Sequence, residues 1–154
     1  MPAPRAPYRL PVPEILHDFP VKAHRDAVFA AFTTPRGLDA WWTRRSVGTP
    51  EMGAEYELYF GPEYDWRGRV RRVVTNADFE LEITRADPDW TSTRVSVQLS
   101  ERDGGTWVRF AHLGWREESD HFRTSSYCWA MYLRILRRWV EKGEVVPYEK
   151  RLEA

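Results

Sequence analysis

Apolar and polar positions alternate with a period of two through the middle of the chain, and recur at helical spacing near its two ends. Between Glu14 and Pro20, Ile15, His17 and Phe19 share one side while Leu16 and Asp18 take the other, which predicts a first strand. From Ala23 to Thr33, Val28, Phe29 and Phe32 recur at helical spacing with Asp26 near the start, where the helix dipole favours an acid. Thr34-Pro35 interrupts this pattern, because proline drives the residue before it out of the helical region, and a second short helix is predicted through Trp42.

Strands follow. Tyr56, Leu58 and Phe60 alternate with Glu57 and Tyr59 until Gly61-Pro62, and a second run extends from Trp66 to Thr75. Phe79, Leu81 and Ile83 then alternate with Glu80, Glu82 and Thr84, as Val95, Val97 and Leu99 do with Arg94, Ser96 and Gln98. Asp103-Gly104-Gly105 offers positive-φ residues for a tight hairpin that returns the chain through Thr106 to Leu113. Such alternation belongs to antiparallel strands with one buried and one wet face.

The last element is the longest. From Phe122 to Glu141 the stripe Phe122, Trp129, Leu133, Leu136 and Val140 is flanked by Cys128, Tyr132, Ile135 and Trp139. Glu117, Glu118 and Asp120 stand near its start, with Lys142 and the C-cap candidate Gly143 at its end. The predicted class is α+β: a curved antiparallel sheet of six or seven strands wrapped around a helix of about 20 residues, roughly 30 Å long.

Composition narrows this further. The 154 residues suit one domain, over 14–154, preceded by a proline-rich arm over 1–13 that holds five of the eleven prolines. Lys+Arg and Asp+Glu balance at 23 each, so no overall field attracts a polyanion and nucleic acid is not the expected partner. A single cysteine and the lack of a signal-length apolar run point to the cytoplasm, and no stretch reaches the roughly 20 apolar residues of a membrane span. His17, His24, His112 and His121 have no metal-ligand spacing, and neither a phosphate loop nor a dinucleotide fingerprint is present, so no cofactor is expected.

Aromatic residues make up 14% of the chain. Bulky rings on a concave sheet face pack poorly without leaving space, which predicts an apolar cavity between sheet and helix. Its expected lining is one of the pair Trp41 and Trp42, with Tyr56, Phe60, Trp66, Phe110, His112, Trp115, Trp129 and Tyr132. His112 shares the side of Val108 and Phe110, so it is read either as a structural histidine or as a group facing a ligand, where with Tyr132 it is a candidate for proton transfer. Cys128 is expected in the core. Alternation from Trp66 carries Arg72 inward, whereas a bulge near Val73 reverses the phase and places it in solvent, the favoured alternative.

Val28-Phe29-Ala30-Ala31-Phe32-Thr33-Thr34-Pro35, Leu38 and Trp41-Trp42 together resemble the opening of the START-like SRPBCC superfamily. Gly68-Arg69-Val70, the strand from Gly105 to Phe110 ending in His112-Leu113-Gly114-Trp115, and the helix with Trp129, Leu133, Leu136 and Glu141-Lys142-Gly143 extend the resemblance over about residues 14–152. The nearest branch is that of the Hsp90 ATPase activator Aha1. The resemblance implies a helix-grip fold whose cavity accepts a lipid, polyketide, aromatic or other small apolar molecule. It implies no reaction, because function does not follow from fold. Three readings result: a noncatalytic binding protein; a polyketide cyclase/aromatase-like or hydrolase-like enzyme using the same cavity; and a chaperone-associated interaction module. A homodimer is compatible with each.

Overall fold

The computed structural model describes residues 3–4 and 12–154, so most of the proline-rich arm expected over 1–13 lies outside the described residues. Seven antiparallel strands form one sheet: β1 (Ile15–Val21), β2 (Arg45–Val47), β3 (Glu55–Gly61), β4 (Tyr64–Val74), β5 (Asp78–Arg85), β6 (Arg94–Arg102) and β7 (Gly105–Leu113), in the spatial order β1-β7-β6-β5-β4-β3-β2. Two short helices, α1 (Arg25–Thr33) and α2 (Pro35–Trp41), connect β1 to β2, and the long helix α3 (Asp120–Lys142) follows β7. A 3₁₀-helix, Tyr148–Glu153, comes last. Neither β2 nor this final helix was marked by the sequence pattern, since three and six residues are too short to display a period.

Local chemistry accounts for the ends of these elements. The Thr34 side chain accepts from the Gly37 amide and caps α2, with Pro35 just inside the helix. Ser119 caps α3 by accepting from the Phe122 amide, and Gly143 terminates it at φ 67°. Asp103 and Gly104, at φ 53° and 78°, make the two-residue hairpin turn between β6 and β7. Gly105 serves differently from the expectation: it needs no positive φ, but a Cβ there would come within 2.6 Å of the Val21 carbonyl oxygen.

The inner face of the sheet carries Tyr56, Leu58, Val70, Phe79, Leu81, Ile83, Val97, Leu99, Val108 and Phe110, all buried, as the alternation predicts. Helix α3 lies across it, tied to β1 where His17 Nε2 approaches the Ser126 carbonyl at 3.3 Å and the Lys22 amide donates to Glu141 Oε2 at 3.0 Å. On β4 the register slips between Val70 and Arg72. This bulge lets both Arg71 and Arg72 face outward while Val70 and Val73 pack inward. Arg71 pairs with Glu82; Arg72 donates to Asp78 Oδ1 at 2.8 Å and to Ser96 Oγ at 3.1 Å, and pairs with Glu80 at 3.1 Å. The phase reversal therefore prevails, and Arg72 offers no charge to the interior.

Candidate functional site

A cavity of about 320 Å³ opens between the inner sheet face and the first half of α3. Its position follows from one change along the helix. Leu133 and Leu136 are buried under the second half of α3, whereas in the first half the buried stripe carries the small Ser125 between Phe122 and Trp129, with Cys128 and the exposed Thr124 lining the cavity beside it. Small side chains leave a gap that the sheet cannot close, and large rings line it. Phe60 and Trp66 come from β3 and β4, Trp42 from the end of α2, Trp90 from the β5–β6 loop, and Trp129 and Tyr132 from α3. Tyr64, Asp87 and His121 complete the lining.

The rings of Trp42, Phe60, Trp66, Trp90 and Trp129 form an unbroken circuit. Successive centroids lie 5.4, 5.1, 4.9 and 5.7 Å apart, and the circuit closes from Trp129 to Trp42 at 5.1 Å. Trp90 reaches it from a polar loop because that loop folds into a helical turn: the Trp90 and Thr91 amides both donate to the Asp87 carbonyl, and the Ser92 amide returns to the Ile83 carbonyl. Ser125 Oγ on α3 then accepts from Trp90 Nε1 at 3.2 Å.

Five of the expected lining residues meet at the cavity: Trp42, Phe60, Trp66, Trp129 and Tyr132. The other five are buried elsewhere. Trp41 turns into the helix packing and donates its indole N–H to the Ala31 carbonyl at 2.8 Å, leaving Trp42 as the member of the pair at the cavity. Tyr56 lies at the filled end, where its hydroxyl donates to the Thr33 carbonyl at 2.7 Å and burial holds it far above the usual phenol range. Phe110 packs beneath Trp129 at 4.6 Å between centroids. Trp115 sits against His112 and Phe122, with its indole N–H buried and unpaired among the described residues.

His112 is fully buried behind Trp90 and Trp129. Trp129 Nε1, which can only donate, reaches its Nδ1 at 3.0 Å, so the neutral ring carries its proton on Nε2 and donates to Thr93 Oγ1 at 2.8 Å. Thr93 Oγ1 in turn donates to the Trp90 carbonyl at 2.5 Å. Both ring nitrogens are thus committed to the wall, and the proton-transfer role considered for His112 has no free atom to work with. Its geometry instead fixes two cavity tryptophans.

Burial depresses the His112 pKa to about 3, with charge on His121 adding to the effect. Above pH 6.5 the ring is neutral in both the folded and unfolded chain and contributes no pH dependence. Below it the unfolded chain takes up a proton that the folded one refuses, so stability falls with acid by about 1.4 kcal/mol per pH unit until the folded value is reached. Between pH 6 and 5, urea unfolding of the native chain should therefore lose about 1 kcal/mol more than that of His112→Gln. Equal slopes would mean that the folded protein accepts the proton.

Burial also pushes the Tyr132 hydroxyl and the Cys128 thiol up, so both are neutral donors at physiological pH. Cys128, expected as core packing, lines the cavity at intermediate exposure. Trp90, Ser125 and Thr124 were not singled out from the sequence. An indole inside Asp87-Pro88-Asp89-Trp90 is a detectable signal, because a tryptophan among loop acids finds burial only by turning inward. Among the described residues, no group of three or more His, Cys, Asp or Glu is placed to hold a metal ion, and no helix is long and apolar enough to cross a membrane.

The model of the activator of Hsp90 ATPase homolog 1-like protein family matches residues 22–141. Among solved structures, the Aha1 dimer from Colwellia psychrerythraea is 28% identical, with a TM-score of 0.78 over 85% of this chain and 98% of that one. CalU16 from Micromonospora echinospora is 20% identical, with a TM-score of 0.71 over 91% and 84% of the two chains. DynU16, a protein in the dynemicin biosynthetic locus, is 19% identical, with a TM-score of 0.73 over 88% of this chain and 49% of that one. The last two likenesses concern the fold alone. Comparison with curated proteins gave no match.

Proposed function

Because the chain belongs to the activator of Hsp90 ATPase homolog 1-like protein family, with the helix-grip fold, we propose that it binds a small, largely apolar molecule in the cavity under the first half of α3. The closed circuit of five aromatic rings around a gap left by Thr124, Ser125 and Cys128 carries this reading. A cavity of about 320 Å³ lies at the lower end of the range of small-ligand sites, so the guest is the size of one or two fused rings rather than a long acyl chain. Binding without catalysis is favoured because the buried imidazole is tied into the wall on both nitrogens. A chaperone-associated role, which the family description suggests, would use the outer surface and is compatible with an occupied cavity.

The test is a tryptophan-fluorescence titration with naphthalene and indole as probes. Saturable quenching should appear with native protein, and Cys128→Leu, which fills the gap from α3, should weaken it at least tenfold while leaving the urea midpoint unchanged or higher. Quenching that is linear in probe concentration, or equal in the filled variant, would contradict the proposal.

A further inference from the structure

We infer that the guest of this cavity carries a positive charge: the site is built for an organic cation, an amine or quaternary ammonium on an apolar or aromatic frame. This rests on the reading of the cavity as a binding site and adds to it the sign of the ligand. Aromatic faces carry negative potential, and a cation within about 6 Å of a ring centroid is attracted to it, most strongly to an indole. Four indoles, those of Trp42, Trp66, Trp90 and Trp129, line one small cavity, and consecutive members of their circuit lie within 6 Å of one another. A compact charged group entering the space between them comes within reach of several rings at once.

Two further features set the sign. The indole N–H groups of Trp90 and Trp129, the positive edges of those rings, are spent on Ser125 and His112 in the wall. Among the described residues lining the cavity there is no lysine or arginine, and Asp87 is the one acidic residue. Arg85, two residues before Asp87, and Arg67 on β4 do not line the cavity, and both are paired with Asp65. His121, the lining residue with a cationic form, has its Nδ1 3.5 Å from Asp89 Oδ2, so its charge when protonated is met by a carboxylate other than Asp87. A carboxylate or phosphate ligand would find no lysine or arginine, only donors such as the hydroxyls of Tyr64, Thr124, Ser125 and Tyr132, the Cys128 thiol, His121 and the indole N–H groups of Trp42 and Trp66, with Asp87 as the one lining residue of like charge.

The experiment compares three benzyl probes at pH 8 and low salt, where an ordinary histidine is neutral: benzyltrimethylammonium, its uncharged carbon isostere neopentylbenzene, and the smaller anion phenylacetate. Titration by tryptophan fluorescence should give a Kd for the cation at least tenfold below that of the isostere, with phenylacetate weakest. Asp87→Asn should weaken the cation three- to tenfold and leave neopentylbenzene unchanged, which also certifies that the variant is folded. Equal or tighter binding of neopentylbenzene, or of phenylacetate, overturns the charge assignment and leaves the apolar site standing. Binding of none of the three overturns both.

Discussion

Replacing Trp129 with alanine is expected to lower the unfolding free energy by about 3–5 kcal/mol, the largest loss of any single change at the site. The ring is buried, with the rings of Trp41, Trp42, Trp90, Phe110 and His112 4.6 to 6.3 Å away, centroid to centroid, so its removal opens a void in the wall as well as in the cavity. It also strips His112 Nδ1 of its donor in a place that solvent does not reach. Trp129→Phe isolates the second effect: most of the volume returns, the donor does not, and about 1–3 kcal/mol should be lost. The two sources separate in a double-mutant cycle with His112→Leu. If the hydrogen bond matters, Trp129→Phe should cost at least about 0.5 kcal/mol less when the imidazole acceptor is already gone. Additive losses in urea unfolding would show that the pair is merely packed.

Arg151→Ala should cost about 3 kcal/mol, although the residue lies three positions before the last, Ala154. Its side chain is buried, and among the described residues no carboxylate pairs with its guanidinium. Nε donates to the Val146 carbonyl at 3.2 Å, and the two terminal nitrogens donate to the carbonyls of Thr43 at 3.1 Å and Asp39 at 2.5 Å. The planar fork thus satisfies the carbonyls at the end of α2 and locks the 3₁₀-helix against them. Burial lowers its pKa from the ordinary value, which measures the desolvation that those charge-assisted bonds offset. Lysine keeps the charge but cannot span three acceptors, so Arg151→Lys should recover less than half of the loss in urea unfolding. Because Trp42 immediately follows α2, both variants should also weaken probe quenching. A native urea midpoint for Arg151→Ala would mean that the tail contributes nothing to holding α2.

The sheet, the helices and the inward faces were legible because burial on one side of a strand or helix imposes a period. Tyr56, Leu58, Phe60 and Phe110 all face inward as their spacing requires. What spacing does not encode is depth. Tyr56 and Phe60 share a face of β3, yet Tyr56 is plugged by the Thr33 carbonyl at the filled end while Phe60 reaches the open one. Face alone made Tyr56, Phe110, His112 and Trp115 look equivalent to Trp66. One signal for the cavity lay in α3, where the small Ser125 on the buried stripe and its neighbour Cys128 give way to Leu133 and Leu136, a contrast of volume as well as of polarity. Trp90 follows a third rule. Its loop has no period, and its place depends on backbone bonds to Asp87 and Ile83 that only the assembled hairpin provides.

The helix-grip architecture therefore explains why a chain with so many rings does not pack them all into a solid core. Tyr56, Trp41 and Phe79 close one end around α1 and α2, while the small residues of α3 hold the other end apart. His112 stiffens the boundary between the two by fixing Trp129 directly and Trp90 through Thr93.

A crystal of the protein pressurised with xenon tests this most directly, since xenon enters preformed apolar voids and is located by its scattering. The account predicts a xenon atom encircled by Trp42, Trp66, Trp90 and Trp129, absent from crystals of Cys128→Leu. Native crystals in which those four indoles have collapsed onto one another, with no gas atom between them, would contradict it.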